Sequence, residues 1–415
     1  MVRISVFTPS HRTTYLNQCY SSLRAQTFDD WEWIVLLNGP AANWTPPVED
    51  PRVRVEHGSG GRRVGAVKKV ACALAQGDIL LELDHDDVLA PDCMAELSEA
   101  FAANPRASMV FSDFAQINAD GTPDPVRFNP AMGWEYADAN VAGTTYLQCL
   151  SLEGTPHNVG YIWYAPNHVR AFRRSVYNAV GGYNAELTVL DDQELMMRLF
   201  LAGDFHRIPK CLYLQRFHHD NTQRESSTNA FIQDQTVRYY DDNIIDMATA
   251  WSQRAGKAVI RLRTPHSPPA AQGDDAEIVE IDPDNPVLPF ADDSVGAIRA
   301  TDVLQRVPNR ELLFSECYRV LTHAGLMFTM TPSTDGRGAF QDPSHVAFYN
   351  ENSFWYLTRS AMQKWSLPGM KARFQMSRIR TYYPTSFDET NQILYVQANL
   401  LAIKDGPRQG GELHV

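Results

Sequence analysis

Three carboxylates stand within four residues. Asp84, Asp86 and Asp87 follow the apolar run Ile79-Leu80-Leu81-Glu82-Leu83. Like charges so close repel unless something positive lies among them. A hard divalent cation on oxygen ligands, such as magnesium, manganese or calcium, meets that need. A solvated acidic turn leading into a helix over 92–102 meets it equally well. A second set is Gly58-Ser59-Gly60-Gly61-Arg62-Arg63-Val64-Gly65, with Lys68 and Lys69 beyond it. Backbone N–H groups at a helix start, with cations nearby, bind anions such as phosphate. A flexible surface loop is the competing reading of that stretch.

These groups need elements to carry them. The run 79–83 reads as a short buried strand, with the carboxylates at its carboxyl end. Ligands of open α/β sheets bind just there. Upstream, the pattern predicts a strand over 2–8 that stops at Pro9 and a helix over 13–24. A second strand over 31–37 ends in the turn Asn38-Gly39-Pro40, followed by a strand over 52–56 and a helix over 67–75. The alternation indicates a parallel-rich α/β sheet. Downstream, a strand over 108–114 leads to a hairpin turn at Asp120-Gly121. Residues 124–160, rich in Pro, Gly and aromatics, carry no assignment from pattern. Tyr161-Ile162-Trp163-Tyr164 reads as a core strand or as an exposed aromatic stacking platform. A long amphipathic helix over 226–251 closes the first domain.

The ordered series Thr8-Pro9, Gln26-Thr27-Phe28-Asp29-Asp30-Trp31-Glu32, Asn38-Gly39, Ala75-Gln76-Gly77-Asp78 and Asp84-His85-Asp86-Asp87 resembles glycosyltransferase family 2 over residues 1–255. Gly181-Gly182-Tyr183-Asn184, Asp191-Asp192 and Arg216-Phe217-His218 extend the likeness. The resemblance implies a GT-A fold, a Rossmann-like α/β domain with a nucleotide-sugar half and an acceptor half. The implied activity is inverting, metal-dependent transfer of a hexosyl-type sugar. The donor is a nucleoside-diphosphate sugar, UDP-linked, and the acceptor a saccharide or other hydroxyl compound. The matching base is Asp192, with Asp191 second, although an Asp at a helix start is also an ordinary cap. The implied manganese or magnesium ligands are Asp86, Asp87 and His218. The implied donor contacts are Thr8, Pro9, Asn38, Arg62, Arg63, Lys68, Asp84 and Arg216. Two positions depart from the family pattern. Asn38 stands where an Asp usually holds the base or ribose, and Lys68-Lys69 where Arg-Asn is common.

Past residue 256 the texture changes. Strands are expected over 258–262, 277–281 and 326–331, with a helix over 311–321. The block Leu288-Pro289-Phe290-Ala291-Asp292-Asp293-Ser294, then Val303-Leu304, then Glu316 to Leu321 before Gly325, resembles the carboxyl half of a class I S-adenosylmethionine-dependent methyltransferase. That family needs a Gly-rich turn after its first strand, and residues 258–276 contain only Gly273. The expectation is an incomplete methyltransferase-like domain over 256–415 that binds no S-adenosylmethionine. It would serve packing, homo-oligomer formation or acceptor capture. Asp342-Pro343-Ser344-His345 and the segment 350–356 are read as structural.

The totals bound these readings. A chain of 415 residues, 44% hydrophobic and 21% charged, is expected to form two globular domains. A net charge of −12 argues against a broad nucleic-acid surface. The six scattered cysteines lack a CxxC pair, as expected of a reduced cytoplasmic protein. No signal-peptide pattern and no membrane span are read.

Overall fold

The computed structural model describes residues 3–39, 43–58, 61, 63–162, 165–218, 226–267, 276–406 and 409–411. The chain forms two compact units, Met1–Pro130 with Trp134–Ile244, and Ala131–Gly133 with Ile245–Val415. The boundary therefore falls inside the last helix of the first unit, not at residue 255.

The first unit is built on β1 (Ile4–Ser10), β2 (Trp31–Leu37), β3 (Val53–His57), β4 (Ile79–Glu82) and β5 (Val88–Leu89). It continues with β6 (Ala107–Ile117), β7 (Pro123–Asp124), β8 (Glu135–Val141), β9 (Thr144–Leu150), β10 (Arg170–Arg173) and β11 (Asp204–Arg216). Helices α1 (Leu16–Arg24), α2 (Val64–Ala73), α3 (Cys93–Ala103), α4 (Pro156–Tyr161), α5 (Arg174–Ala179), α6 (Asp191–Ala202) and α7 (Ser226–Arg254) join or flank them. The main path of the sheet runs β3-β2-β1-β4-β10-β6-β11-β5. β3, β2, β1 and β4 are parallel, and β10 lies antiparallel between β4 and β6. Strands β1, β2 and β4 are buried along nearly their whole length because both faces are covered, as parallel strands require.

β1 runs through Pro9 to Ser10 instead of stopping at the proline. The proline φ suits extended chain. The unassigned stretch 124–160 contains the β8–β9 hairpin. Its turn is Ala142-Gly143, both at positive φ, 50° and 87°. Alanine rarely takes that conformation, so the usual two-residue hairpin signal was missing from the sequence. Tyr161 ends α4 rather than lying in a strand, and Trp163 and Tyr164 fall outside the described residues. A cluster of Phe7, Ile34, Leu36, Leu80, Phe172, Tyr183, Leu195 and Leu199 packs α2, α5 and α6 on one face of the sheet.

The second unit has β12 (Ala258–Arg263), β13 (Glu277–Glu280), β14 (Val295–Thr301), β15 (Leu321–Pro332), β16 (Phe374–Tyr382) and β17 (Tyr395–Ala402), with α8 (Arg310–Val320) before β15. The order is β13-β12-β14-β15-β17-β16. The first four strands are parallel, and β17 pairs antiparallel with β15 and β16. Its core centres on Ile260, Ile298, Phe314, Cys317, Met327 and Leu400. Residues 268–275 of the loop between β12 and β13 lie outside the described set.

Candidate active site

After β3 the chain returns to lay β4 on the far side of β1, so the strand order reverses between β1 and β4. A crevice forms at such a reversal, outside the carboxyl ends of the strands. The acidic loop 83–87 leaves β4 at that point. Thr8 Oγ1 donates to Leu83 O at 2.8 Å and accepts from Trp33 Nε1 at 2.9 Å. The Cys19 thiol of α1 lies beneath the turn, within 3.2 Å of Asp87 O and 3.3 Å of His85 O. Burial pushes the Cys19 pKa well up, so it stays a thiol and can donate.

β11 closes the loop from the other side. Arg216 N donates to Asp87 Oδ1 at 2.6 Å, and its Nε donates to Asp86 O at 2.6 Å. Its terminal nitrogens reach Asn118 O, Ala119 O and Gln18 Oε1, and the guanidinium lies 4.4 Å from the Tyr15 ring centroid. Two residues on, His218 Nε2 lies 2.8 Å from Asp86 Oδ2, and its ring stacks on Tyr15.

A buried charge cluster continues from this loop along β4 and β10. Lys68 Nζ on α2 sits 2.6 Å from Glu82 Oε1 and 2.9 Å from Asp191 Oδ2. Burial works against the Lys68 charge, but Asp191 and Glu82 raise its pKa well above the ordinary value. Burial likewise opposes the Glu82 charge, and Lys68 holds that carboxyl below its usual range. Tyr183 Oη donates to Glu82 Oε2 at 3.3 Å. From β10, Arg170 Nη1 lies 2.5 Å from Asp192 Oδ2. His168 Nε2, just before β10, lies 3.4 Å from Asp84 Oδ2, and its ring stacks on Tyr213 at 4.6 Å.

The start of α6 sets both acidic side chains. Leu190 occupies the N-cap in a left-handed conformation, φ 58°, with no side-chain cap. A non-glycine residue there stores on the order of 1–3 kcal/mol of strain. Asp191 and Asp192 are therefore first-turn residues and not caps. Asp191 turns inward to Lys68, with its side chain 7% exposed. Asp192 remains 24% exposed, and its Oδ1 accepts from Gln193 N at 2.8 Å. Burial raises the Asp191 pKa. Burial also opposes the Asp192 charge, but Arg170, with Lys68 behind it, holds that carboxyl down at about 2. Two neighbouring carboxyls driven apart in this way are suited to different tasks.

Several residues expected at the donor are placed otherwise. Thr8 is fully buried, with its hydroxyl used twice inside the protein, so it positions the loop. Arg216 is 1% exposed and clamps backbone carbonyls, because β11 carries it beneath the acidic loop. Lys68 presents its ammonium to two carboxylates, and Arg63 is exposed and paired with Glu186. Asp87 is 2% exposed and turned to the Arg216 backbone and Tyr213. It is thus not brought to the Asp86–His218 pair. Among the described residues, no three His, Cys, Asp or Glu side chains form a metal shell. Asp86 and His218 fit a cation as two ligands, a number suited to magnesium-type ions that take further ligands from phosphate and water.

The glycine-rich turn is also placed otherwise. Gly65 N donates to Leu187 O, and a Cβ on Gly65 would fall 2.0 Å from Asn184 O. The first turn of α2 thus packs on the 184–187 segment, and close backbone approach is what that glycine serves. Asn38 Nδ2 donates to Gly61 O at 2.7 Å, tying the end of β2 to that turn. Pro9 is partly buried near the end of β1. Arg62 lies outside the described residues.

Sequence reasoning gave no role to Glu82, His168, Arg170, Tyr183 or Cys19. Glu82 carried a signal, since a lone acid inside a buried strand demands a cation. His168 and Arg170 carried none, because nothing in their local pattern links them to residues 84 or 192. All six cysteines are buried and free.

A parallel half-sheet continued by a mixed half, with an acidic loop where they meet, is the GT-A architecture of glycosyltransferases. The Glycosyl transferase family 2 model matches residues 5–181, and a Methyltransferase domain model matches residues 245–329. The two matches fall within or across the two segments for which the sequence resemblances were read. The O-antigen biosynthesis protein RfbC of Myxococcus xanthus is 27% identical over 204 residues, 47% of this chain and 14% of that protein. A chondroitin synthase of Pasteurella multocida is 22% identical over 225 residues, 53% of this chain and 21% of that one. The chain thus spans a minor part of the length of these relatives. The structure of S. aureus TarS 1-349 in complex with UDP-GlcNAc aligns with a TM-score of 0.43 at 13% identity, over 61% of this chain and 72% of that one. Among the described residues, no helix is long and apolar enough to cross a membrane.

Proposed function

We propose that the first unit transfers a sugar, with inversion, from a nucleoside-diphosphate donor to an acceptor hydroxyl. The donor to test first is UDP-linked. The observation that carries this reading is the pairing of Asp86 with His218 at the strand-order reversal, together with a partly exposed Asp192 that Arg170 of β10 holds. The names of the relatives, a chondroitin synthase and an O-antigen biosynthesis protein, support a saccharide acceptor.

Asp86 and His218 would hold manganese or magnesium, which supplies Lewis-acid stabilisation to the departing diphosphate. Asp84, oriented by His168, is assigned to the donor ribose or sugar. Asn38, whose amide both donates and accepts, is assigned to the base. Asp192 takes the proton of the acceptor hydroxyl as its oxygen bonds the anomeric carbon and the diphosphate leaves from the opposite face. A hydroxyl bonding to an electron-poor carbon becomes strongly acidic, so a weakly basic carboxylate suffices. Such bases contribute about 10²–10⁴-fold.

The test is a thermal-shift panel of nucleotide sugars with and without manganese, followed by transfer assays of D192N. One donor should stabilise the protein in a metal-dependent way, and D192N should keep that stabilisation while losing transfer. If no nucleotide sugar stabilises the protein, the class assignment fails. Wild-type turnover in D192N would remove the base assignment.

For the second unit we infer packing, self-association or acceptor holding, since 258–276 offers one glycine where the cofactor would need close backbone approach. The methyltransferase-domain match keeps a bifunctional enzyme as the second reading. Calorimetric titration of the full chain with S-adenosylmethionine decides between them. We place the protein in the cytoplasm, where immunolocalisation tests it.

A further inference from the structure

Asp192 is held by more than its own helix. Its Oδ1 accepts from Gln193 N, and its Oδ2 meets Arg170 Nη1 from β10. Arg170 is 4% exposed and is itself fixed, its Nε donating to Pro166 O at 3.0 Å. The charged groups facing Asp192 are Arg170 from β10, Lys68 from α2 and Asp191 from its own turn. The helices α4 and α7 meet the same turn through Gly160 O and Thr236, which carry no charge. Lys68 is already committed to Asp191 and Glu82, so Arg170 is the cation in contact with Asp192.

From this arrangement we propose that Arg170 is the positioning residue of the transfer base. It fixes one oxygen of Asp192, keeps the carboxylate ionised and leaves the exposed part of the group to meet the acceptor. The proposal rests on the reading of Asp192 as the base. It also divides the acidic pair: Asp192 on Arg170 does the chemistry, and Asp191 on Lys68 forms a fixed floor. A guanidinium suits the task because it cannot itself be deprotonated at working pH.

The experiment uses the full chain with carbon-13-labelled aspartate carboxyls and needs no ligand. The Asp192 resonance is assigned by its loss in D192N and titrated in wild type, R170K and R170M. In R170M the midpoint should rise by about one pH unit or more, which is a tenfold or greater change in proton affinity. R170K should fall between R170M and wild type. Transfer from the donor identified by thermal shift is then followed against pH. R170M should show its acid limb displaced upward and kcat lowered, with donor KM within about twofold of wild type, as for an interaction that serves the transition state and not donor binding.

An Asp192 midpoint in R170M equal to that of wild type overturns the proposal. So does an unchanged kcat and acid limb. Should R170M fail to fold by circular dichroism, R170K decides: a displaced midpoint with lowered kcat supports the role, and wild-type values for both overturn it. D192N separates the two failures. Turnover surviving in D192N removes the base reading itself. Turnover lost in D192N, with an unmoved titration in the Arg170 variants, removes only the role of Arg170.

Discussion

His218 Nε2 lies 2.8 Å from Asp86 Oδ2, although 132 positions separate the two residues in the chain. Strand β11 brings them together. It runs parallel to β6 and delivers Arg216 and then His218 beneath and beside the acidic loop.

This pair yields the first prediction. A ligand at one hundred times its dissociation constant stabilises a protein by about 2.7 kcal/mol. In H218A and in D86A the metal-dependent part of the thermal shift given by the nucleotide sugar should disappear. The metal-independent part, if any, should remain. Isothermal titration with manganese plus donor checks the same point, and a full response in D86A would count against the pair.

Arg216 leads to a different outcome. Its guanidinium is buried and satisfied by backbone carbonyls and Gln18. Removing it leaves Asp86 O, the buried acceptor among them, without that partner, at about 1–3 kcal/mol before relaxation. R216M should lower the unfolding free energy by roughly 1–3 kcal/mol, read from urea melts. R216K should recover little, because one ammonium cannot reproduce the fork. A variant that lost donor affinity with unchanged stability would restore Arg216 to the donor.

Lys68 tests the buried cluster. K68M leaves Glu82 and Asp191 without their shared cation and should cost about 3–5 kcal/mol. The Glu82 contribution to the pH dependence should also change sign. In the native protein the folded pKa of Glu82 lies below its ordinary 4.5. Its contribution is therefore present above 4.5 and fades as pH falls through the depressed value. The Lys68 contribution, from a raised pKa, is present below the ordinary lysine value and fades only at strongly alkaline pH. Without Lys68, burial raises the Glu82 and Asp191 pKa values, so the folded state binds protons more tightly than the unfolded one. Urea midpoints of K68M should then fall more steeply between about pH 5 and about pH 8 than those of wild type, where of the two only Asp191 is already raised.

Local pattern was a good guide wherever an element is buried on a repeating face. The strand over 31–37 was readable end to end, because Trp31 to Leu37 is apolar on both faces apart from Glu32. The acidic loop was readable because three carboxylates at a strand end are conspicuous. The β8–β9 hairpin was not, because its turn is built on an alanine at positive φ. Strand β10 was hidden too. It is four residues long and owes its place to antiparallel pairing with β4 and β6.

The sequence by itself determined the class of sheet, the position of the acidic loop at a strand end and the presence of a second acidic pair at 191–192. Those features follow from short-range periodicity and charge spacing. Only the tertiary structure decided which cation each carboxylate meets. Lys68 went to Glu82 and Asp191, Arg170 to Asp192, His218 to Asp86, and Arg216 to the backbone. The reason is physical: a buried charge must find its counter-charge in space, and in a sheet whose strand order departs from chain order the nearest cation is seldom the nearest in sequence.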